Sequence, residues 1–223
     1  AIVSMSLILT KLLEAKGVKP DYVAGHSVGE YAAFGAAGYL TTEDTVKLTS
    51  ARGKFMNDTA IKVNGGMAAI IGLDSEKLKE VLKNVEGIVE AVNFNEPNQT
   101  VIAGQKDAIE RACVALKEAG ARRAMPLAVS GPFHSSLMKE AGEKLKEEAE
   151  KYTFQMTDIK LVANTTGEVL NSIEDIKNEI YTQSFGPVKW VDTIKKLKSE
   201  GVTKIYEIGP GKVLAGLVKK IDK

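Results

Sequence analysis

The sequence predicts an α/β chain in two parts: a large domain on a parallel sheet, formed by residues 1–61 and 130–223, and an inserted α+β small domain of ferredoxin-like topology over residues 62–129. Three observations carry this. The outer segments alternate short apolar runs with helical periodicity, the pattern of a parallel sheet with helices on both faces. The middle segment changes rhythm to strand, helix, strand, strand, helix, strand. The chain has 223 residues, 44% of them hydrophobic, enough for a substantial core without disulfides.

Taken in order, residues 2–14 carry a helical pattern that Gly17 and Pro20 close. Residues 21–25 read as a short buried strand and residues 30–37 as a small-residue helix. Thr41 to Asp44 signal the start of a helix running to about Asp58. In the middle segment, strands are expected at 66–73, 88–95, 100–103 and 122–129. Helices are expected at 75–85, with Ser75 as N-cap, and at 107–119, which Gly120 ends. Beyond it a long helix is expected at 135–152, a strand at 160–164, and helices at 173–182 and 188–199. A strand at 204–207, the turn Gly209-Pro210-Gly211-Lys212 and a short helix finish the chain.

Charge and cysteine content narrow the function. Lys and Arg number 30 against 29 Asp and Glu, so no basic excess argues for nucleic acid. Cys113, the single cysteine, sits in an amphipathic helix and reads as a core residue, which fits a reducing, cytoplasmic compartment. Two histidines without a cysteine cluster predict no metal site. No run reaches the ~18 apolar residues of a membrane span. The apolar opening, Ala1 to Leu13, lacks the basic flank and cleavage site of a signal peptide. It begins without Met inside a helical pattern, so the chain is expected to start in mid-domain.

The chemistry centres on Gly25-His26-Ser27-Val28-Gly29, a G-x-S-x-G pattern between a predicted strand and a predicted helix. Such an α/β-hydrolase-like turn pushes the serine hydroxyl out of the sheet edge, and its glycines let the chain turn and substrate approach. The N–H of Val28, at a helix N-terminus, is placed to stabilise an oxyanion. Ser27 needs a base, and the chain offers two imidazoles. His26 adjoins Ser27 on the turn and should point elsewhere, which leaves His134. No acid stands out as a third member, and many residues follow His134, unlike the order of lipases and esterases. Arg52, on the next helix, matches a carboxylate in bidentate fashion and would select acyl groups that carry one.

Several motifs together resemble one family, the malonyl-CoA:acyl carrier protein transacylases. They are GHSVGE at 25–30, ARGKFM at 51–56, VNFNEPNQTVIAG at 92–104, GPFHSSLM at 131–138, QSFGPVKW at 183–190 and EIGPGKVLAGL at 207–217. The resemblance implies malonyl transfer in fatty acid biosynthesis, from malonyl-CoA to the phosphopantetheine thiol of acyl carrier protein, with Ser27 as nucleophile and His134 as base. It implies that the carbonyl of Gln183 orients His134, that Arg52 pairs with the malonyl carboxylate, and that Phe133 leaves no room for a branch methyl. Met56, Asn95 and His26 fall among its substrate-binding positions. No bound cofactor, no membrane and a monomeric state are expected.

Family members also carry a Gly-Gln-Gly motif after an N-terminal strand, some tens of residues before Ala1, which supplies a second oxyanion donor. The chain is expected to lack that part. Two further readings remain open at this stage: a serine thioesterase or hydrolase using Ser27 and His134, and an inactive, truncated carrier-binding fragment. Lys189, Lys195, Lys196 and Lys198 lie close together and form an expected docking patch for an acidic carrier protein.

Overall fold

The computed structural model describes residues 1–222. It opens with α1 (Ile2–Ala15), β1 (Tyr22–Val23), α2 (Val28–Ala36) and α3 (Thr42–Lys62). Then come β2 (Gly65–Ile71), α4 (Ser75–Leu82), β3 (Val89–Glu96), β4 (Gln99–Gln105), α5 (Lys106–Glu118) and β5 (Arg123–Pro126). A 3-10 turn at Ser136–Met138 leads into α6 (Lys139–Ala149), followed by β6 (Lys160–Leu161), α7 (Ile173–Thr182), α8 (Trp190–Ser199) and α9 (Val213–Ile221).

Two sheets organise these elements. β1 and β6 pair in parallel, Tyr22 opposite Lys160 and Val23 opposite Leu161. The other sheet has the order β3-β4-β2-β5 with every pair antiparallel, which is the ferredoxin-like arrangement expected from sequence. β2 reads as a continuous apolar run because both its faces are covered. Ala68 and Ile70 pack with Leu78, Leu116 and Ala124 under the helices, while Met67 faces Val92, Val101 and the ring of Phe133. A separate core of Tyr31, Phe34, Tyr39, Leu48, Leu145, Leu161, Ile176 and Ile180 binds α2, α3, α6 and α7 around the parallel pair. Val188 bridges to β3, its N–H donating to the Val92 carbonyl at 2.7 Å and its carbonyl accepting from Phe94 N–H at 2.9 Å, and the next N–H, of Lys189, donates to the Asn164 carbonyl just beyond β6 at 2.8 Å.

Several expected boundaries are corrected. α4 is capped by Asp74, not Ser75, because the Asp74 carboxylate accepts from the N–H groups of both Glu76 and Lys77. The helix expected from Ser135 begins at Lys139, because the chain first takes a 3-10 turn at Ser136–Met138, with the Ser135 hydroxyl donating back to the Pro132 carbonyl at 2.6 Å. α8 starts at Trp190, because Val188 is occupied by its bridge to β3. Both parallel strands are shorter than expected. No strand forms at 204–207, where no ladder partner exists among the described residues. Among those residues no helix is long and apolar enough to cross a membrane.

Candidate active site

Ser27 caps α2 with φ 53° and ψ −113°, a backbone conformation that L-residues avoid. The turn is held from several sides. Asn164, just beyond β6, accepts the Ser27 N–H at 2.7 Å and donates its amide to the Gly25 carbonyl at 2.6 Å. The chain doubles back so tightly that a Cβ on Gly25 would lie 2.1 Å from the carbonyl carbon of Gly29. Gly29 itself has open space where a Cβ would stand. Among the described residues none accepts the Val28 N–H, which opens α2 beside the serine.

The structure brings Ser27, His134, Arg52 and Gln183 into one cluster. His134 is buried, and its Nδ1 lies 2.8 Å from the main-chain oxygen of Gln183. A carbonyl only accepts, so Nδ1 carries the proton and Nε2 is the free base. That Nε2 lies 2.7 Å from Ser27 Oγ, so the hydroxyl donates to it. The positive φ of His134 aims the ring, with the main-chain N–H of the residue donating to the Ser184 carbonyl at 3.0 Å. Arg52 Nη2 donates to Ser27 Oγ at 3.1 Å, and Arg52 Nε donates to Gln183 Oε1 at 3.1 Å. The guanidinium carbon also lies 5.2 Å from the centroid of the Tyr31 ring. Gln183 thus reaches His134 through its backbone and Arg52 through its side chain, while its Nε2 donates to the Ser27 carbonyl at 2.8 Å.

Burial sets the electrostatics. It lowers the His134 imidazole to about 3, with the Arg52 charge adding to the effect. The base is therefore neutral and ready to accept a proton across the physiological range. Burial also lowers Arg52, an effect opposed by Tyr31 and Glu30 nearby.

The remaining expected residues surround this cluster. Met56 is buried with Ala60 and Met138, and Phe133 lies against that group and the outer face of the antiparallel sheet. The His26 ring points away from Ser27. Its Nε2 lies 2.8 Å from Asn95 Oδ1, and it meets Trp190 edge-on at 5.6 Å. Of the lysines, Lys196 pairs with Glu168 and Glu200, and Lys198 with Asp222, so two of the four expected docking charges are engaged within the chain. Sequence reading missed Asn164, Tyr31 and two buried carboxyls, Glu30 and Glu179. One signal was available for Glu30: it stands in a helix that is apolar almost all round, VGEYAAFGA, which marks burial.

The chain is similar to known acyl transferases over nearly its whole length. Residues 1–220 match the family model for the acyl transferase domain. A malonyl CoA-acyl carrier protein transacylase of Bacillus subtilis (strain 168) is 45% identical over 226 residues, covering 100% of this chain and 71% of the relative. A malonyl-transacylase solved in complex with a type II PKS acyl-carrier protein superposes with a TM-score of 0.95 at 41% identity, over 99% of this chain and 72% of that one. An acyl-carrier-protein S-malonyltransferase of Burkholderia pseudomallei 1710b gives 0.95 at 45% identity, over 99% and 73%.

Proposed function

The chain belongs to the acyl transferase domain family, and on that premise we propose that it is a malonyl-CoA:acyl carrier protein S-malonyltransferase of fatty acid biosynthesis, working through a malonyl ester on Ser27. The observation that carries the reading is the buried Arg52 guanidinium, 3.1 Å from a serine hydroxyl that a neutral imidazole already holds at 2.7 Å. A hydrolase of neutral acyl chains has no use for a buried cation beside its nucleophile, whereas a malonyl carboxylate repays the desolvation of the guanidinium with a bidentate pair.

The steps follow from the contacts. Ser27 Oγ attacks the thioester carbon while His134 Nε2 takes the hydroxyl proton, and the Gln183 carbonyl stabilises the imidazolium through Nδ1–H. The Val28 N–H supports the oxyanion. The coenzyme A thiolate leaves and takes the proton from His134. The phosphopantetheine thiol of the carrier protein then gives its proton to the same nitrogen, and its sulfur attacks the malonyl ester. Collapse returns the proton to Ser27. Malonyl-CoA and acyl carrier protein are the partners of the relatives as their names give them.

Around this core, Phe133 and Met56 form the wall that limits the acyl group, and His26 and Asn95 act together beside the thioester. Residues 62–129 serve as an inserted small domain whose outer sheet face supplies part of that wall. Lys189 and Lys195 remain for carrier docking. The reaction needs no bound cofactor, and the protein works as a cytoplasmic monomer.

Intact mass measurement after brief mixing with malonyl-CoA tests the reading. We expect an adduct of about 86 Da that Ser27→Ala abolishes, with turnover reduced on the order of 10⁶-fold. Release of coenzyme A without an adduct would favour hydrolysis instead.

A further inference from the structure

The nucleophile's helix carries a carboxyl that the reaction as written leaves idle. Glu30 lies one turn into α2 from Ser27 and is fully buried. It accepts the Asn164 N–H at 2.8 Å and an N–H of the Gln183 carboxamide at 2.6 Å. A second buried carboxyl, Glu179 on α7, accepts the N–H of the next residue, Thr165, at 3.0 Å and its hydroxyl as well. Two carboxyls that grip consecutive N–H groups of one segment are held as neighbours.

Charge balance decides their state. The titratable groups around them are the Arg52 guanidinium from α3, the Tyr31 phenol from α2 and, across Gln183, the neutral His134 imidazole. Asn164, Thr165 and Gln183 bring no charge. With both carboxyls ionised, one buried cation would face two buried anions, and a single shared proton removes the surplus. Burial, with Glu179 adding to it, pushes Glu30 well above the usual carboxylate range.

Gln183 depends on this pair for its orientation. Its two amide hydrogens go to Glu30 and to the Ser27 carbonyl, and its Oε1 accepts from Arg52 Nε. Flipped end for end, the carboxamide would set donors against the guanidinium. An acceptor at Glu30 forbids the flip.

We propose that Glu30 is a positioning residue for acyl transfer, holding the Gln183 carboxamide in register with Arg52 and Ser27 while it shares one proton with Glu179. The proposal rests on the acyl-serine reading above. Loss of the shared proton leaves two buried negative charges that compete with Ser27 for Arg52.

The test is the single-turnover rate of Ser27 malonylation as a function of pH. Glu30→Ala is expected to lower the rate about tenfold or more. Glu30→Gln keeps one acceptor oxygen, enough for the Gln183 amide or the Asn164 N–H but not for both, and is expected to recover part of the loss. The wild-type rate is expected to fall on the alkaline side, and that fall to be absent from Glu30→Gln, whose amide has no proton to lose there. A Glu30→Ala rate within about twofold of wild type overturns the proposal. So does a wild-type profile flat to about pH 10, or an alkaline fall that persists in Glu30→Gln. If Glu30→Ala does not fold, the two profiles alone decide. A wild-type protein that forms no adduct overturns the acyl-serine reading instead.

Discussion

The antiparallel sheet and the serine turn are built in opposite ways. The sheet uses extended backbone, hydrogen-bond ladders that are continuous between β2 and β4 and interrupted by two register shifts along β3, and apolar contacts on both faces. The turn and the His134 segment that meets it place two non-glycine residues, Ser27 and His134, at positive φ and fix them with buried polar groups. Strain of this kind costs about 1–3 kcal/mol per residue and persists only where the surroundings over-determine it. Here Asn164, Gln183 and the Ser184 carbonyl do so. The sheet spends its contacts on stability, and the turn spends them on geometry.

That contrast can be broken by substitution. Ile70→Ala, in the helix-covered face of the sheet, should cost about 2–5 kcal/mol of unfolding free energy, leaving the acylation rate of the folded protein within about twofold. Urea denaturation and single-turnover kinetics on the same samples measure both. A large kinetic loss at unchanged stability would erase the distinction. Arg52→Ala should do the reverse: about a hundredfold loss with malonyl-CoA and a much smaller one with a neutral acyl-CoA. Equal losses with both donors would remove the carboxylate from its assigned partner.

His134 sharpens the comparison through pH. Its folded value of about 3 lies below the ~6.5 of an unfolded histidine. The unfolded chain therefore binds the extra proton first. Stability from this group is complete above about pH 6.5 and is lost as pH falls toward 3, at no more than about 1.4 kcal/mol per pH unit. The urea midpoint of the wild type should slope accordingly between pH 6.5 and 5, and His134→Asn should flatten that slope.

The two regions also differed in how far they could be read from sequence. The sheet was legible because strand and helix periods alternate cleanly from 66 to 126, and its strand order follows from topology rules. At the site, Ser27 and Val28 were legible from the turn pattern, His134 by elimination of His26, and Arg52 from its charge beside an acyl-serine. Gln183 came only with the family resemblance, since an orienting backbone carbonyl leaves no mark on residue type. Asn164 and Glu179 were missed because a polar residue reads the same whether it faces water or a buried partner; Glu30 differed only in the apolar helix around it, which marks burial but not the partner. The strand at 204–207 failed for a related reason: alternation describes one strand, whereas a ladder needs two.

The two glycines of the serine turn are not equivalent. Position 25 admits glycine alone, because any β-carbon there would collide with the backbone at position 29. Position 29 has free space at the same point, so an alanine would fit it. Of the paired letters that flank the serine in the G-x-S-x-G signature, the first is demanded by the shape of the main chain and the second is not.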